Sequence, residues 1–197
     1  MNIATINNFC FIGYDIRERF FYAPANYFLG KGQVVTGDIS LCERYNKNIN
    51  WHRSGDKNYP LELFPEYKKV ADSYDEMSEK DKEKYCIYAF EICKLDISNI
   101  KVKVGANNFP LYEWALAKEC TFAKKNAFSF RGYDVVDSMG ISAVTNCGLS
   151  SGDIARFGEL SKNSLFEKFN AASMFRDYAN REVTEHSPFA IFKIYQM

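Results

Sequence analysis

The sequence lacks net charge and long apolar runs, and both absences exclude classes of function. Lys plus Arg and Asp plus Glu each number 25, so the formal net charge is zero. A general duplex-binding protein usually carries a basic excess, and this balance gives no support for nucleic acid as a partner. No run of about 18 apolar residues occurs, so no transmembrane helix and no membrane partner is predicted.

Motifs for metals and cofactors are also missing. Structural zinc sites use close pairs of cysteine or histidine, but the chain has no Cys-x-x-Cys and only two histidines, His52 and His186. In Gly30–Gly37, Lys31 precedes a glycine where a phosphate-binding loop needs serine or threonine, so a hairpin turn is favoured. We therefore predict no metal and no cofactor.

Export signals are absent as well. Residues 1–11 contain no basic residue and no long apolar core, which argues against a secretory signal. The six cysteines are scattered through a chain that is long enough to build a core without disulfides. We expect buried free thiols in a reducing compartment, and hence a soluble cytoplasmic protein.

The strongest pattern that is present occurs twice. Phe9–Ile16 and Phe128–Val135 both follow the order Phe-x-Phe-x-Gly-Tyr-Asp and then an aliphatic residue. Alternating phenylalanines predict a strand, and the glycine marks a bulge or a strand end. We expect two strands that use glycine at equivalent points, and the sequence leaves open whether they pair with each other.

The clearest helix is predicted to begin at Ser78. Ser78 and Asp81 approximate a capping box, although aspartate is the weaker residue at the second position. Apolar residues recur at helical spacing through Tyr85–Cys93, which predicts that the helix continues to Cys93.

The other segments mix helix and strand without a strict βαβ order. Further helices are predicted over about Pro110–Lys124 and Ser161–Asn180, and Phe189–Tyr195 predicts a buried strand. Residues 1–197 are therefore predicted to form a single α+β domain. Its sheet is mixed or antiparallel and packs against about three helices.

One stretch carries the residue types of a catalytic site. Cys147 lies in a predicted loop, and a cysteine nucleophile needs a lowered thiol pKa. His186 would act as its base, and Asp137 or Asp134 would orient the imidazole. The alternative is structural, with the two aspartates capping turns and Cys147 packed beneath a glycine loop.

A second set of residues predicts a binding surface. The polar loop from Trp51 to Tyr59 carries aromatic anchors, and such loops commonly bind partners. The second Gly-Tyr-Asp motif adds Tyr133 and Asp134 to the predicted binding surface. The candidate partner-binding residues are Trp51, His52, Arg53, Tyr59, Tyr133 and Asp134.

Three functions are consistent with these patterns. The first hypothesis is a protein-binding inhibitor that occludes its partner, such as an immunity protein or a phage antagonist. Residue usage rich in Asn, Lys, Tyr and Phe suits an AT-rich microbial or phage genome. The second is a small hydrolase or transferase that uses Cys147 with His186, and the incomplete motif weighs against an enzyme. The third is a homo-oligomer, which the edge of Phe189–Tyr195 allows.

Overall fold

The described part of the chain combines a β-sheet with short helices. The computed structural model describes residues 8–18, 21–22, 34–35, 63–97, 121–137, 142–144, 149, 151–161 and 164–197. The strands are β1 (Phe9–Glu18), β2 (Phe21–Tyr22), β3 (Val34–Val35), β4 (Tyr85–Cys93), β5 (Ser129–Val136) and β6 (Ala190–Gln196). The helices are α1 (Tyr67–Asp75), α2 (Glu79–Lys84), α3 (Ser151–Ala155) and α4 (Phe169–Glu182), with a 3₁₀ turn at Lys125–Ala127.

Four of the strands form one antiparallel sheet in the order β1-β4-β6-β5. The fold is therefore α+β with an antiparallel sheet, which confirms the predicted fold class. The two Gly-Tyr-Asp strands are β1 and β5, and they lie at opposite edges of this sheet rather than side by side. In the helices of the described ranges, no segment has the length and apolarity to cross a bilayer.

The helix predicted from Ser78 is shorter than expected. The Ser78 hydroxyl accepts a hydrogen bond from the Asp81 amide at 3.2 Å, so the predicted cap is confirmed, but α2 ends at Lys84. Tyr85–Cys93 is strand β4, and the predicted helical continuation is wrong. A short apolar run fits both periods, and here the pairing with β1 and β6 on its two sides determines the outcome.

The C-terminal elements follow the prediction more closely. β6 matches the predicted strand Phe189–Tyr195 to within one residue. It is paired with β4 and β5 on its two sides, so the expectation of a free strand edge there is wrong. The predicted helix over Ser161–Asn180 instead begins at Phe169, because the residues before it bridge to β5. Residues 121–124 form an extended turn where the end of a helix was predicted, and 98–120 lie outside the described residues.

The two Gly-Tyr-Asp strands belong to two equivalent halves of the sheet. In the first half, the Tyr14 amide donates to the Phe64 carbonyl at 2.8 Å and the Phe64 amide donates back at 2.8 Å. In the second half, Tyr133 and Phe166 exchange the same two bonds at 2.8 and 2.9 Å. Each half is thus a bulged edge strand, a bridging Leu-Phe pair, a helix and a central strand.

The bridging pair explains why glycine recurs. A Cβ added to Gly13 would lie 2.9 Å from the Leu63 Cβ, and one added to Gly132 would lie 2.7 Å from the Leu165 Cβ. Their φ angles, +150° and +145°, also favour glycine. Glycine is therefore needed at both positions for the same reason, because a leucine side chain packs directly against the bulge.

An approximate twofold axis relates the halves. Gly13 pairs with Phe90 and Gly132 pairs with Ile194, and Phe90 and Ile194 pair with each other where β4 meets β6. Because antiparallel strands are related by a twofold rotation, this pair lies on the axis. Each position in one half consequently has a counterpart in the other.

Both longer helices cover the same face of the sheet. α1 buries Val70 against the face that carries Ile87, and α4 buries Phe175 against the same face at Ile191. The opposite face contributes its own apolar cluster, including Tyr88, Phe90, Phe192 and Ile194. On the helix-bearing face, the residues that flank this axial pair are Ala89, Glu91, Lys193 and Tyr195.

Candidate functional site: an aromatic surface beside Lys193

Four aromatic rings pack together where α1 meets β1, and we call them the covered quartet: Phe11, Tyr14, Tyr67 and Phe128. The Tyr14 ring lies at its centre, with centroid distances of 4.7 Å to Phe11, 5.7 Å to Tyr67 and 5.8 Å to Phe128. Tyr67 and Phe128 meet edge to face at 6.5 Å. Such tilted and T-shaped contacts are the favoured arrangements of aromatic pairs.

The twofold axis generates a second set of rings, which we call the open quartet: Phe9, Phe130, Tyr133 and Phe169. The Tyr133 ring is central, at 5.1 Å from Phe130, 5.8 Å from Phe169 and 6.2 Å from Phe9. Phe9 and Phe169 meet edge to face at 5.9 Å. The contacts of the covered quartet are therefore repeated ring by ring.

The quartets differ in what lies over them. The Phe122 ring stacks on Phe11 at 4.9 Å with an interplanar angle of 20°, and it meets Phe128 edge to face at 5.3 Å. Phe11 is consequently only 5% exposed. Phe130, the counterpart of Phe11, is 44% exposed, and within the described ranges no ring lies over it as Phe122 lies over Phe11.

A lysine lies beside the open quartet. The Lys193 ammonium is 4.0 Å from the centroid of the Phe9 ring, a cation–π contact. At the counterpart position of Lys193, the first half has Ala89, as the pairings of Tyr133 with Lys193 and of Tyr14 with Ala89 show. Burial lowers the pKa of the Lys193 ammonium. The covered quartet has a cation at a different place, the exposed Lys124 ammonium 4.6 Å from the Tyr67 centroid, whereas the cation of the open quartet is partly buried.

The anion nearest to this lysine already has other partners. The buried Glu91 carboxylate accepts hydrogen bonds from the Tyr195 hydroxyl at 2.7 Å and from the Lys125 ammonium at 2.6 Å. Lys193 forms a longer ion pair with the same carboxylate, at 3.9 Å, which is beyond hydrogen-bond distance. The Lys193 side chain is 15% exposed.

The predicted catalytic residues are brought together in part. The His186 Nδ1 lies 3.1 Å from the Asp137 Oδ2, and the Asp137 carboxylate is almost fully buried while the imidazole is partly exposed. Cys147 lies outside the described residues, so the third member of the predicted triad stays a prediction.

The cysteines in the described ranges pack within the sheet and form no disulfides. Cys86 and Cys93 are buried and Cys10 is partly buried, and all three are free. They occur on paired strands, with Cys86 and Cys93 on opposite faces of β4. Burial raises the pKa of the Cys10 thiol to about 11 and also raises the pKa of Cys93, so neither is poised as a nucleophile.

The predicted partner-binding residues have different locations. Tyr133 is partly exposed at the centre of the open quartet. Asp134 is 1% exposed, and its Oδ1 accepts hydrogen bonds from the Val135 amide and the Ser142 hydroxyl. A role for Asp134 in partner binding stays an untested prediction. The four loop residues Trp51, His52, Arg53 and Tyr59 lie outside the described residues.

Sequence reasoning missed most of the open quartet. Phe9 and Phe130 belong to the repeated motif, and its alternation predicts strand residues but not an exposed aromatic surface. A longer comparison of the two halves could have identified them, since the Leu-Phe pair recurs at Leu63 and Leu165. Lys193 carries no local signal, because its importance comes from its pairing with Tyr133.

Comparisons with known proteins do not identify the chain. No protein-family model matches it, and no curated protein or solved structure was found to match. Among the residues that the structure describes, no group of three potential metal ligands comes together. Any functional proposal therefore depends on the geometry of the chain itself.

Proposed function

We propose that this protein binds a protein partner and acts by occluding the partner's surface, as immunity proteins and phage antagonists do. The observation that supports the proposal is the open quartet. Large aromatic side chains are enriched at the centres of protein interfaces, where they bury much area at low entropic cost. Phe130 is exposed although its counterpart Phe11 is buried, so an accessible aromatic surface is specific to one half.

A site-specific crosslink tests the proposal. The photoreactive residue p-benzoylphenylalanine replaces Phe130 in one variant and Met174 in another, the second serving as control because Met174 is 59% exposed on α4 and outside the quartet. We expect one cellular protein to be captured at position 130 and not at 174. Bound chain should then suppress that protein's own activity.

Other results would contradict the proposal. Capture of a second copy of the chain at position 130 would indicate homo-oligomerisation. A captured protein whose activity is unchanged by a saturating amount of the chain would rule out occlusion.

The second candidate function is the cysteine enzyme. The 3.1 Å contact between His186 and Asp137 supports it, because a buried carboxylate that fixes an imidazole is the usual support of a general base. A structural role for the same pair, tying β5 to the segment after α4, accounts for the contact equally well.

Thiol alkylation distinguishes these roles. If His186 activates Cys147, iodoacetamide should modify Cys147 fastest of the six cysteines at neutral pH, and His186→Gln should slow that reaction. If Cys147 is alkylated at the same rate in the His186→Gln variant as in the wild type, His186 does not activate it. The contact between His186 and Asp137 would then no longer support an enzyme.

A further inference from the structure

The covered quartet indicates what the open quartet is shaped to accept. Phe122 provides the contact on the covered side, lying flat on Phe11 and edge-on to Phe128. The rings beneath it are matched one for one by the open quartet, including the central tyrosine and its contact with the first residue of a helix. A ring stacked on Phe130 would therefore repeat a contact that the chain already makes once.

The position of Lys193 indicates the charge of the occupant. Over Phe128 the covered half has the edge of Phe122, whereas over Phe9 the open half has the Lys193 ammonium. This cation lies beside the position where the ring would stack. Because Glu91 is already bound by Tyr195 and Lys125, a group that approaches Lys193 from the surface gains an ion pair if it is anionic.

We infer that the open quartet binds a segment of a protein partner that carries an aromatic side chain stacked on Phe130 and an acidic group paired with Lys193. The inference rests on the proposed binding function and specifies its partner. An aromatic ring contributes the buried apolar area, and the acidic group contributes selectivity against basic segments.

Three hexapeptides derived from the covering segment provide the probes. The first, Thr-Phe-Ala-Glu-Glu-Asn, keeps the order around Phe122 and places acidic residues where the chain has Lys124 and Lys125. The second retains the two lysines, and the third replaces the phenylalanine of the acidic peptide by alanine. Each is titrated into the full chain, and binding is followed by the amide NMR shifts of β5.

We expect saturable shifts with the acidic aromatic peptide. The basic peptide should bind up to about fivefold more weakly, which corresponds to the loss of one ion pair at the surface. Phe130→Ala and Phe130→Leu should each weaken the acidic peptide by at least about fivefold, as expected for the loss of a stacked aromatic pair. Met174→Ala should leave the affinity for the acidic peptide unchanged. Lys193→Gln should remove the preference for the acidic peptide over the basic one.

Two results would overturn the inference: no saturable shift with the acidic peptide, or equal binding by variants that lack the Phe130 ring. If the crosslinking partner is still captured and inhibited in that case, the proposed function stands and only this description of the partner fails. If the peptides bind as expected but no cellular protein is captured, the description of the site is supported and the occlusion proposal fails.

Discussion

Glu91 and Tyr195 occupy equivalent positions in the two halves of the sheet and hydrogen-bond to each other at 2.7 Å. Glu91 pairs with Phe11 on β1, and Tyr195 pairs with Phe130 on β5, so the bond links the two aromatic quartets near the axis. The two equivalent positions carry different residues, a glutamate in the first half and a tyrosine in the second. The tyrosine hydroxyl can therefore donate a hydrogen bond to the glutamate carboxylate.

Removing this donor should destabilise the protein. Tyr195→Phe leaves the buried carboxylate short of one hydrogen bond, so we expect the free energy of unfolding to fall by about 1–2 kcal/mol. Urea denaturation measures the change. Tyr67→Phe is the control, because the Tyr67 hydroxyl makes only an exposed contact with the Met197 sulfur. An equal loss in both variants would contradict the special role of the Glu91 bond.

The same hydroxyl predicts an alkaline effect. Burial, and then the hydrogen bond to Glu91, raise the pKa of the Tyr195 phenol. A raised pKa in the folded state stabilises the protein below the unfolded value of about 10, and that contribution is lost as the pH rises above it. Stability measured from pH 8 to 11 should therefore fall less steeply in Tyr195→Phe than in the wild type.

The bulge glycines should tolerate no side chain. Gly132→Ala places a methyl group 2.7 Å from the Leu165 Cβ at a φ of +145°, and we expect a loss of about 2–3 kcal/mol from strain and overpacking. Gly152→Ala, at an exposed position of helix α3, should be neutral or slightly stabilising. The midpoints of thermal unfolding of the two variants measure this difference in stability. Similar midpoints would show that Leu165 moves aside to make room for the added methyl group.

The partly buried Lys193 ammonium should lower the free energy of unfolding at neutral pH. Burial lowers the pKa of its ammonium, so the folded state disfavours the charged form and stability increases as the pH rises from the folded pKa towards the unfolded value. Lys193→Met should raise the free energy of unfolding by about 1 kcal/mol at pH 7 and reduce that pH dependence. Lys80→Met, at an exposed position, should change little. A destabilised Lys193→Met would show that the lysine is retained for stability rather than for binding.

The described cysteines should react slowly. Because burial raises the pKa of Cys10 to about 11, its thiolate fraction at pH 8 is far below that of a free thiol, and Cys86 and Cys93 are shielded in the sheet. Mass spectrometry after brief alkylation should find these three sites nearly unmodified until denaturant is added. Rapid modification of Cys10 in the native protein would contradict the packing of β1 against β4.

Part of the fold was accessible to local reasoning. Ser78 and Asp81 interact within one helical turn, so their cap was predictable from spacing alone. Tyr85–Cys93 was not, because nine residues of apolar sequence satisfy either period and only the neighbouring strands decide between them. For the same reason the sequence predicted Phe130 as a strand residue but not as an exposed one.

The sequence by itself determined that two strands carry the same bulge, since alternating phenylalanines and a glycine act over a few neighbouring residues. Only the tertiary structure decided which of the two resulting aromatic clusters is covered. Phe122 lies between the halves in sequence and packs on one of them, and Lys193 meets Phe9 across the sheet. Such contacts join residues far apart in the chain, so they depend on how the whole sheet is assembled rather than on local sequence.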